Sequence, residues 1–240
     1  MSTVETITFP TDGGMQMRGW LGIPAKPKKD APAVLVIHEA VGLHPNIKPI
    51  VERFASEGYV ALAPDLFDKP DPTPVCVVRC MSAMYTGKGQ AVEDLKSALA
   101  YLKGRKEVDV NRLAVAGFCM GGGFSLVMAL NPDIKAAAPY YGMSKHFFDN
   151  VGKSCPVVAG YGGRDAAFGK VGYKLEKKLA RAGIPHDVKT YDDAGHSYMT
   201  ASLPGIMGTL GRMMPLKVDY RPECAEDSWK RMLGFFAQHV

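Results

Sequence analysis

Ala114-Val115-Ala116-Gly117-Phe118-Cys119-Met120-Gly121-Gly122-Gly123 passes from an apolar segment through a glycine-rich turn into a second apolar segment, Phe124 to Leu130. Leu113 to Ala116 has the unbroken apolar character of a buried strand, and the run after the glycines has the composition of a helix. The pattern is G-x-S-x-G with cysteine where serine would stand. A strand that turns sharply into a helix strains the backbone at the turn residue, and glycines two positions to either side relieve the crowding. The turn residue then projects beyond the sheet edge, while the next backbone N–H sits at a helix N-terminus. That arrangement suits a nucleophile beside an oxyanion donor. A buried, inert cysteine in a tight turn is the competing reading, so the neighbouring segments must discriminate.

Upstream, residues 4–9 and 15–23 flank Thr11-Asp12-Gly13-Gly14 and read as an opening antiparallel hairpin. Ala33 to Ile37 is a continuous apolar run typical of a central parallel strand. A helix over 46–58 buries Ile47, Ile50, Val51 and Phe54, and Tyr59 to Ala63 is the next strand. Residues 64–87, with Pro70, Pro72 and Pro74, read as an excursion over the strand ends that includes at most one short helix. A helix over 91–105 leads back to the central strand. Downstream, Ile134 to Tyr141, Cys155 to Tyr161 and Pro185 to Tyr191 are strands, and 170–182 is a helix. Residues 197–223 read as irregular, and 224–240 as a closing helix. Strands alternating with helices predict a doubly wound, mostly parallel α/β sheet with an N-terminal antiparallel hairpin, and residues 1–240 read as one domain.

Composition narrows the function classes. The chain is 47% hydrophobic and 22% charged with a net charge of +5, ordinary for a globular protein. No apolar stretch is long enough to span a bilayer, and no secretory signal is visible at the N-terminus. The 5 cysteines are scattered without a C-x-x-C pair, which predicts reduced thiols and a cytoplasmic setting. Lys26, Lys28 and Lys29 form a basic cluster in a loop, not a stripe or a module that reads nucleic acid. Neither a metal nor an organic cofactor is expected: Cys76 and Cys80 with His38 lack a second metal-binding pair.

In sheets of this type ligands bind outside the carboxyl ends of the strands. Three reactive side chains follow strands directly: Cys119 at the turn, Asp165 after Cys155–Tyr161, and His196 after Pro185–Tyr191. Nucleophile, acid, histidine is the chain order expected of α/β hydrolases. A thiol near its ordinary pKa needs a base, His196 can take that proton and return it to a leaving group, and Asp165 would fix the imidazole tautomer. Asp165 has a competing role as cap of a following helical turn. After the first central strand, His38-Glu39-Ala40-Val41-Gly42-Leu43 occupies the loop that donates the second oxyanion N–H. The amides of Ala40 and Met120 are therefore the expected pair. A Glu39 carboxylate near the thiol would disfavour a free thiolate by like-charge repulsion. His38 reads as a strand-end structural residue.

Gly117-Phe118-Cys119-Met120-Gly121-Gly122, His38 to Leu43, Gly163-Arg164-Asp165 and Ala194-Gly195-His196-Ser197-Tyr198, taken in order over residues 15–200, resemble the dienelactone hydrolase (carboxymethylenebutenolidase) family. The resemblance implies the α/β-hydrolase fold and a Cys119–Asp165–His196 triad that opens a small-molecule lactone or ester through an acyl-thioester. It also implies that Glu39 keeps the resting thiol inactive and takes part in its activation. Tyr140 and Tyr141 match an aromatic pair lining the family's pocket, and Arg79, Tyr85 and Tyr198 are further candidate substrate contacts. One of the family's two carboxylate-binding arginines lies four residues after the histidine, where this chain has Thr200; Arg212 and Arg221 are alternative cations. That departure opens a second reading, a broad carboxylesterase for neutral esters. A third reading, from another class, is a ligand-binding or thiol redox-sensing homologue without turnover.

Overall fold

The computed structural model describes residues 3–26, 29–68, 73–200, 213 and 215–240. Its strands are β1 (Thr3–Pro10), β2 (Gln16–Ile23), β3 (Ala31–Ile37), β4 (Val60–Pro64), β5 (Val108–Phe118), β6 (Ile134–Tyr140), β7 (Val157–Gly162) and β8 (His186–Tyr191). They form one sheet of 8 strands in the order β1-β2-β4-β3-β5-β6-β7-β8. β1 pairs antiparallel with β2, and β2 antiparallel with β4; from β4 to β8 every pairing is parallel. The sheet is thus a parallel doubly wound one extended by the N-terminal hairpin. This is the α/β-hydrolase arrangement expected from the sequence.

Side-chain alternation explains why both faces are covered. Leu35, Leu113 and Val115 point to one face, where they pack with α3 (Gln90–Lys103), α4 (Met120–Met128) and α6 (Val171–Arg181). Val34, Val36, Ala114 and Ala116 point to the other, beneath α1 (Lys48–Ser56) and α7 (Pro222–His239). The second face is built from small strand residues, Ala114, Ala116, Ala136 and Ala138, and this leaves room for rings. Phe54 meets Trp229 at 4.9 Å between centroids, and Phe118 stacks on Tyr140 at 5.6 Å. Such aromatic pairs add directional attraction of about 0.5–1.5 kcal/mol each to the burial of their area.

The excursion after β4 differs from expectation. Residues Thr73–Thr86 form a helix of 14 residues, α2, with Cys76, Cys80, Ala83 and Met84 facing the core. Those positions do carry a helical period. Val75, Val78 and Met81 obscure it, because they are apolar yet lie on the exposed face, at 45%, 69% and 40% exposure. The loop after β6 contains a further short helix, α5 (Lys145–Asn150), whose first turn is capped by the Ser144 hydroxyl accepting from the Phe147 amide at 3.3 Å. Of the segment 197–223, expected to be irregular, residues 201–212 and 214 lie outside the described residues, and its last two residues, Pro222 and Glu223, already belong to α7. No helix among the described residues is long and apolar enough to cross a membrane.

α7 is tied to the sheet by polar contacts as well as rings. The Tyr140 hydroxyl donates to the Ser228 carbonyl at 3.2 Å, the Tyr198 hydroxyl meets Ser228 Oγ at 2.8 Å, and Ser228 Oγ donates to the Tyr191 hydroxyl at 2.9 Å. β6, β8 and the loop after β8 therefore converge on one serine of α7. Buried hydroxyls are costly unless paired, so this cluster fixes the loop's position as well as satisfying its members.

Candidate active site

β5 ends at Phe118, and Cys119 takes φ 55° and ψ −115° before α4 begins at Met120. For an L-residue this backbone is strained, costing of order 1–3 kcal/mol, and surrounding packing must enforce it. The glycines make that packing possible. A Cβ on Gly117 would stand 2.1 Å from the Gly121 carbonyl oxygen, and one on Gly121 would stand 2.1 Å from the Ile37 carbonyl oxygen. The first turn of α4 can seat against the ends of β3 and β5 only because both side chains are absent. Cys119 is left partly exposed at the strand ends.

Asp165 follows β7 and is 2% exposed. Its two oxygens divide the work. Oδ1 accepts from the Ala167 amide at 2.9 Å and the Phe168 amide at 3.0 Å, whereas Oδ2 meets His196 Nδ1 at 2.6 Å. One oxygen thus caps the following turn while the other meets the imidazole. His196 follows β8 and is 3% exposed, with its ring between Tyr141 at 5.0 Å and Phe168 at 5.2 Å. Its backbone is clamped by Leu216, whose carbonyl accepts from the His196 amide at 2.8 Å. Burial alone would lower the imidazole pKa; hydrogen bonds to Asp165 and to the Cys119 side chain outweigh it and carry the ring up to about 10. The ring thus stands between the carboxylate and the thiol, in contact with both.

Glu39, just past β3, is mostly buried and is bonded to the loop that carries His196. Its Oε1 accepts from the Ser197 hydroxyl at 2.8 Å and the Thr200 hydroxyl at 3.0 Å. Burial raises the Glu39 pKa, and the two hydroxyl donors and the charge of His196 offset only part of that. Ser197 itself has φ 57°, and Tyr141, across the site, has φ 42°, so backbone strain recurs on two more walls of the site. The Tyr141 hydroxyl is buried and directed towards Thr200 without a hydrogen bond of good geometry. The amides of Ala40 and Met120 donate to no acceptor among the described residues. His38 is structural: Nδ1 lies 2.6 Å from the Glu39 carbonyl oxygen and Nε2 accepts from the Leu66 amide at 3.1 Å.

Cys119, Asp165, His196, Glu39 and Tyr141 are therefore brought together. The other candidate contacts are not. The Tyr140 and Tyr198 hydroxyls point to Ser228, away from the thiol. Arg79 lies on α2 and lines a separate cavity of about 220 Å³ with Leu66, Lys88 and Asp94. Tyr85 is 47% exposed near the end of α2. Arg221, at the start of α7, lies beside Asp219 at 3.5 Å, and Arg212 is outside the described residues. Sequence reasoning did not foresee Ser197 and Thr200 as partners of Glu39. Their hydroxyls beside the histidine were visible, but not the fold that carries Glu39 to them.

A parallel sheet with an antiparallel hairpin, a strained turn opening a helix, and an acid and a histidine at neighbouring strand exits define an α/β hydrolase. The sequence model of the dienelactone hydrolase family matches residues 17–240, and the chain belongs to that family of hydrolases acting on ester bonds. Among its relatives, a Salmonella typhimurium protein named "Putative carboxymethylenebutenolidase" is 30% identical over 97% of this chain and 87% of its own. A Methylorubrum extorquens protein of the same name is 32% identical over 87% of this chain and 72% of its own. The crystal structure of a protein from Klebsiella pneumoniae titled "Putative Dienelactone Hydrolase" superimposes with a TM-score of 0.81 at 26% identity, covering 100% of both chains.

Proposed function

We propose that this chain hydrolyses a carboxylic ester or lactone through an acyl-thioester on Cys119. The observation that carries the reading is the imidazole of His196, fixed by Asp165 Oδ2 at 2.6 Å and in contact with a cysteine held on a strained strand–helix turn. A ring whose proton affinity is raised this far takes the thiol proton readily, and Asp165 stabilises the cation that results. Sulfur attacks the acyl carbon, and the oxyanion of the tetrahedral intermediate forms between the amides of Ala40 and Met120. Collapse of the intermediate expels the alkoxide, which takes the proton back from His196. In a lactone that alkoxide stays attached to the acyl chain. Water, deprotonated by His196, then attacks the thioester and releases the acid and the free thiol. Glu39, kept beside the histidine loop by Ser197 and Thr200, is read as the group that quiets the thiol at rest and shares in its activation.

Thr200 bears on the substrate. It is 3% exposed, and its hydroxyl is committed to Glu39. It presents no charge to a carboxylate next to the reacting carbon, so the group around that carbon is read as uncharged. The scattered, unpaired cysteines support a cytoplasmic setting, and residues 1–240 are read as one catalytic domain.

Turnover of p-nitrophenyl acetate and of a dienelactone panel by the parent, Cys119→Ala and His196→Ala tests the mechanism. We expect both variants to be inactive, and a rapidly quenched parent to carry an acyl group on Cys119 by mass spectrometry. Full activity in Cys119→Ala overturns the reading. A parent without turnover whose Cys119 oxidises readily favours the redox-sensing alternative.

A further inference from the structure

Beside the histidine loop a cavity of about 160 Å³ is lined by Arg164, Gly195, Lys217, Asp219 and Arg221. Arg164 immediately precedes Asp165, and Gly195 immediately precedes His196, while Cys119 does not line the cavity. The other three residues belong to 215–221, the stretch that runs into α7, and this stretch is laced to both catalytic loops. The Ala166 amide donates to the Pro215 carbonyl at 3.2 Å and the His196 amide to the Leu216 carbonyl at 2.8 Å. In return the Asp219 amide donates to the His196 carbonyl at 3.3 Å, and the Arg221 amide to the Tyr198 carbonyl at 3.0 Å. Lys217 holds its place with φ 52°, a backbone conformation uncommon for a residue with a side chain. Gly195 makes room for it: a Cβ there would stand 1.8 Å from the Lys217 carbonyl oxygen.

Three cations therefore face one carboxylate. Asp219 stands 3.5 Å from Arg221 Nε without the geometry of a hydrogen bond, and that buried N–H has no acceptor among the described residues. Arg164 and Lys217 pair with no carboxylate among the described residues. Asp193, in the same loop as Gly195, accepts from Cys224 Sγ at 3.8 Å and does not line the cavity. Cations drawn together from separate segments repel one another, so the arrangement favours an entering counter-charge. A surplus of two positive charges suits a dianion, and donors carried by two different segments suit a tetrahedral one. A carboxylate offers its two oxygens in one plane, whereas a phosphate group spreads its oxygens around a centre and takes guanidinium groups two bonds at a time. We propose that this cavity binds a phosphate group, and that the bound anion fastens residues 215–221 to the loops carrying Asp165 and His196. The site is separate from the reacting thiol and does not depend on the ester chemistry above.

The test is thermal unfolding of the full chain in rising inorganic phosphate, glycerol 3-phosphate or acetate, with NaCl holding the ionic strength constant. The proteins compared are the parent, Arg164→Gln/Lys217→Gln and Lys217→Gly. A site of about 1 mM affinity in about 20 mM phosphate raises the folded-to-unfolded ratio about 20-fold. For a chain of this length that is a rise in melting temperature of about 4–7 °C, saturating with concentration. We expect that rise in the parent with phosphate and not with acetate, and a rise of less than about 2 °C in both variants. Glycine suits the positive φ of residue 217, so Lys217→Gly carries the comparison should the double variant fold poorly. A rise that never saturates, or one equal in parent and variants, is the general stabilisation that excluded phosphate salts give and overturns the proposal. Acetate as effective as phosphate overturns it too. Stabilisation by inorganic phosphate assigns the cavity to the free ion, and stabilisation by glycerol 3-phosphate alone assigns it to a phosphate monoester; either supports the proposal. Hydrogen exchange fixes the location: phosphate should slow the amides of His196, Asp219 and Arg221 in the parent. Slowing confined to other segments overturns the assignment.

Discussion

Asp165→Asn separates the two duties of one carboxylate. The amide side chain keeps an oxygen for the Ala167 and Phe168 amides, now accepted at 2.9 and 3.0 Å, so the turn stays capped. It replaces the charged oxygen 2.6 Å from His196 Nδ1 with an N–H group or a neutral oxygen. The ring then loses the largest influence raising it from 6.5 to about 10. At about 1.4 kcal/mol per unit, that shift corresponds to at most about 5 kcal/mol of preference for the cationic ring. An amide N–H facing Nδ1 also selects the tautomer whose Nε2 already bears a proton and cannot accept the thiol's. We expect kcat/KM on p-nitrophenyl acetate to fall by about 10³–10⁴-fold. The sign of the stability change follows from linkage: a histidine raised on folding contributes stability that is complete below its unfolded value of 6.5 and is lost as pH rises through about 10. Urea unfolding should therefore show the parent exceeding the variant by several kcal/mol, up to about 5, at pH 6 and by under about 1 kcal/mol at pH 10. A rate loss of less than about tenfold, or a stability gap independent of pH, refutes the assigned role of Asp165.

Glu39→Gln removes a carboxyl group whose pKa burial holds above 4.5. An acid raised on folding costs stability once pH exceeds its unfolded value, so the variant should unfold at a higher temperature than the parent at pH 8, with the gap closing towards pH 4. The pH profile of Cys119 alkylation by iodoacetamide should change as well; an unaltered profile removes Glu39 from the activation of the thiol. Gly121→Ala places a methyl group 2.1 Å from the Ile37 carbonyl oxygen and should cost about 3 kcal/mol or more. A melting temperature within a degree or two of the parent's would show that the α4 turn is not packed as described.

What the sequence disclosed depended on how local the signal was. Leu113 and Val115 against Ala114 and Ala116 give strand alternation within a few residues, and Cys119, Asp165 and His196 each follow their strand closely enough to be placed by chain order. α2 was obscured by Val75, Val78 and Met81, apolar residues left on a solvent face, because a hydrophobic pattern assumes that apolar means buried. Tyr140 and Tyr198 were matched to a pocket through their neighbours. Their hydroxyls instead meet Ser228, 88 and 30 residues away, and no local pattern encodes such a contact. The Thr200–Glu39 bond spans 161 residues. Thr200 stood out in the sequence only for the arginine it is not, while its own hydrogen bond became visible with the fold.

The convergence of Tyr140, Tyr191 and Tyr198 on Ser228 has a consequence in time as well as in space. A chain synthesised from its N-terminus presents Glu39, Cys119 and Asp165 in turn, then the loop bearing His196, and only afterwards the helix to which that loop is tied. Domains fold as units once their last contacts exist, so a nascent chain lacking α7 has a thiol but no fixed base beside it. The site thus comes together late relative to its own residues: the loop bearing His196 is fixed beside Cys119 only after α7 has been added.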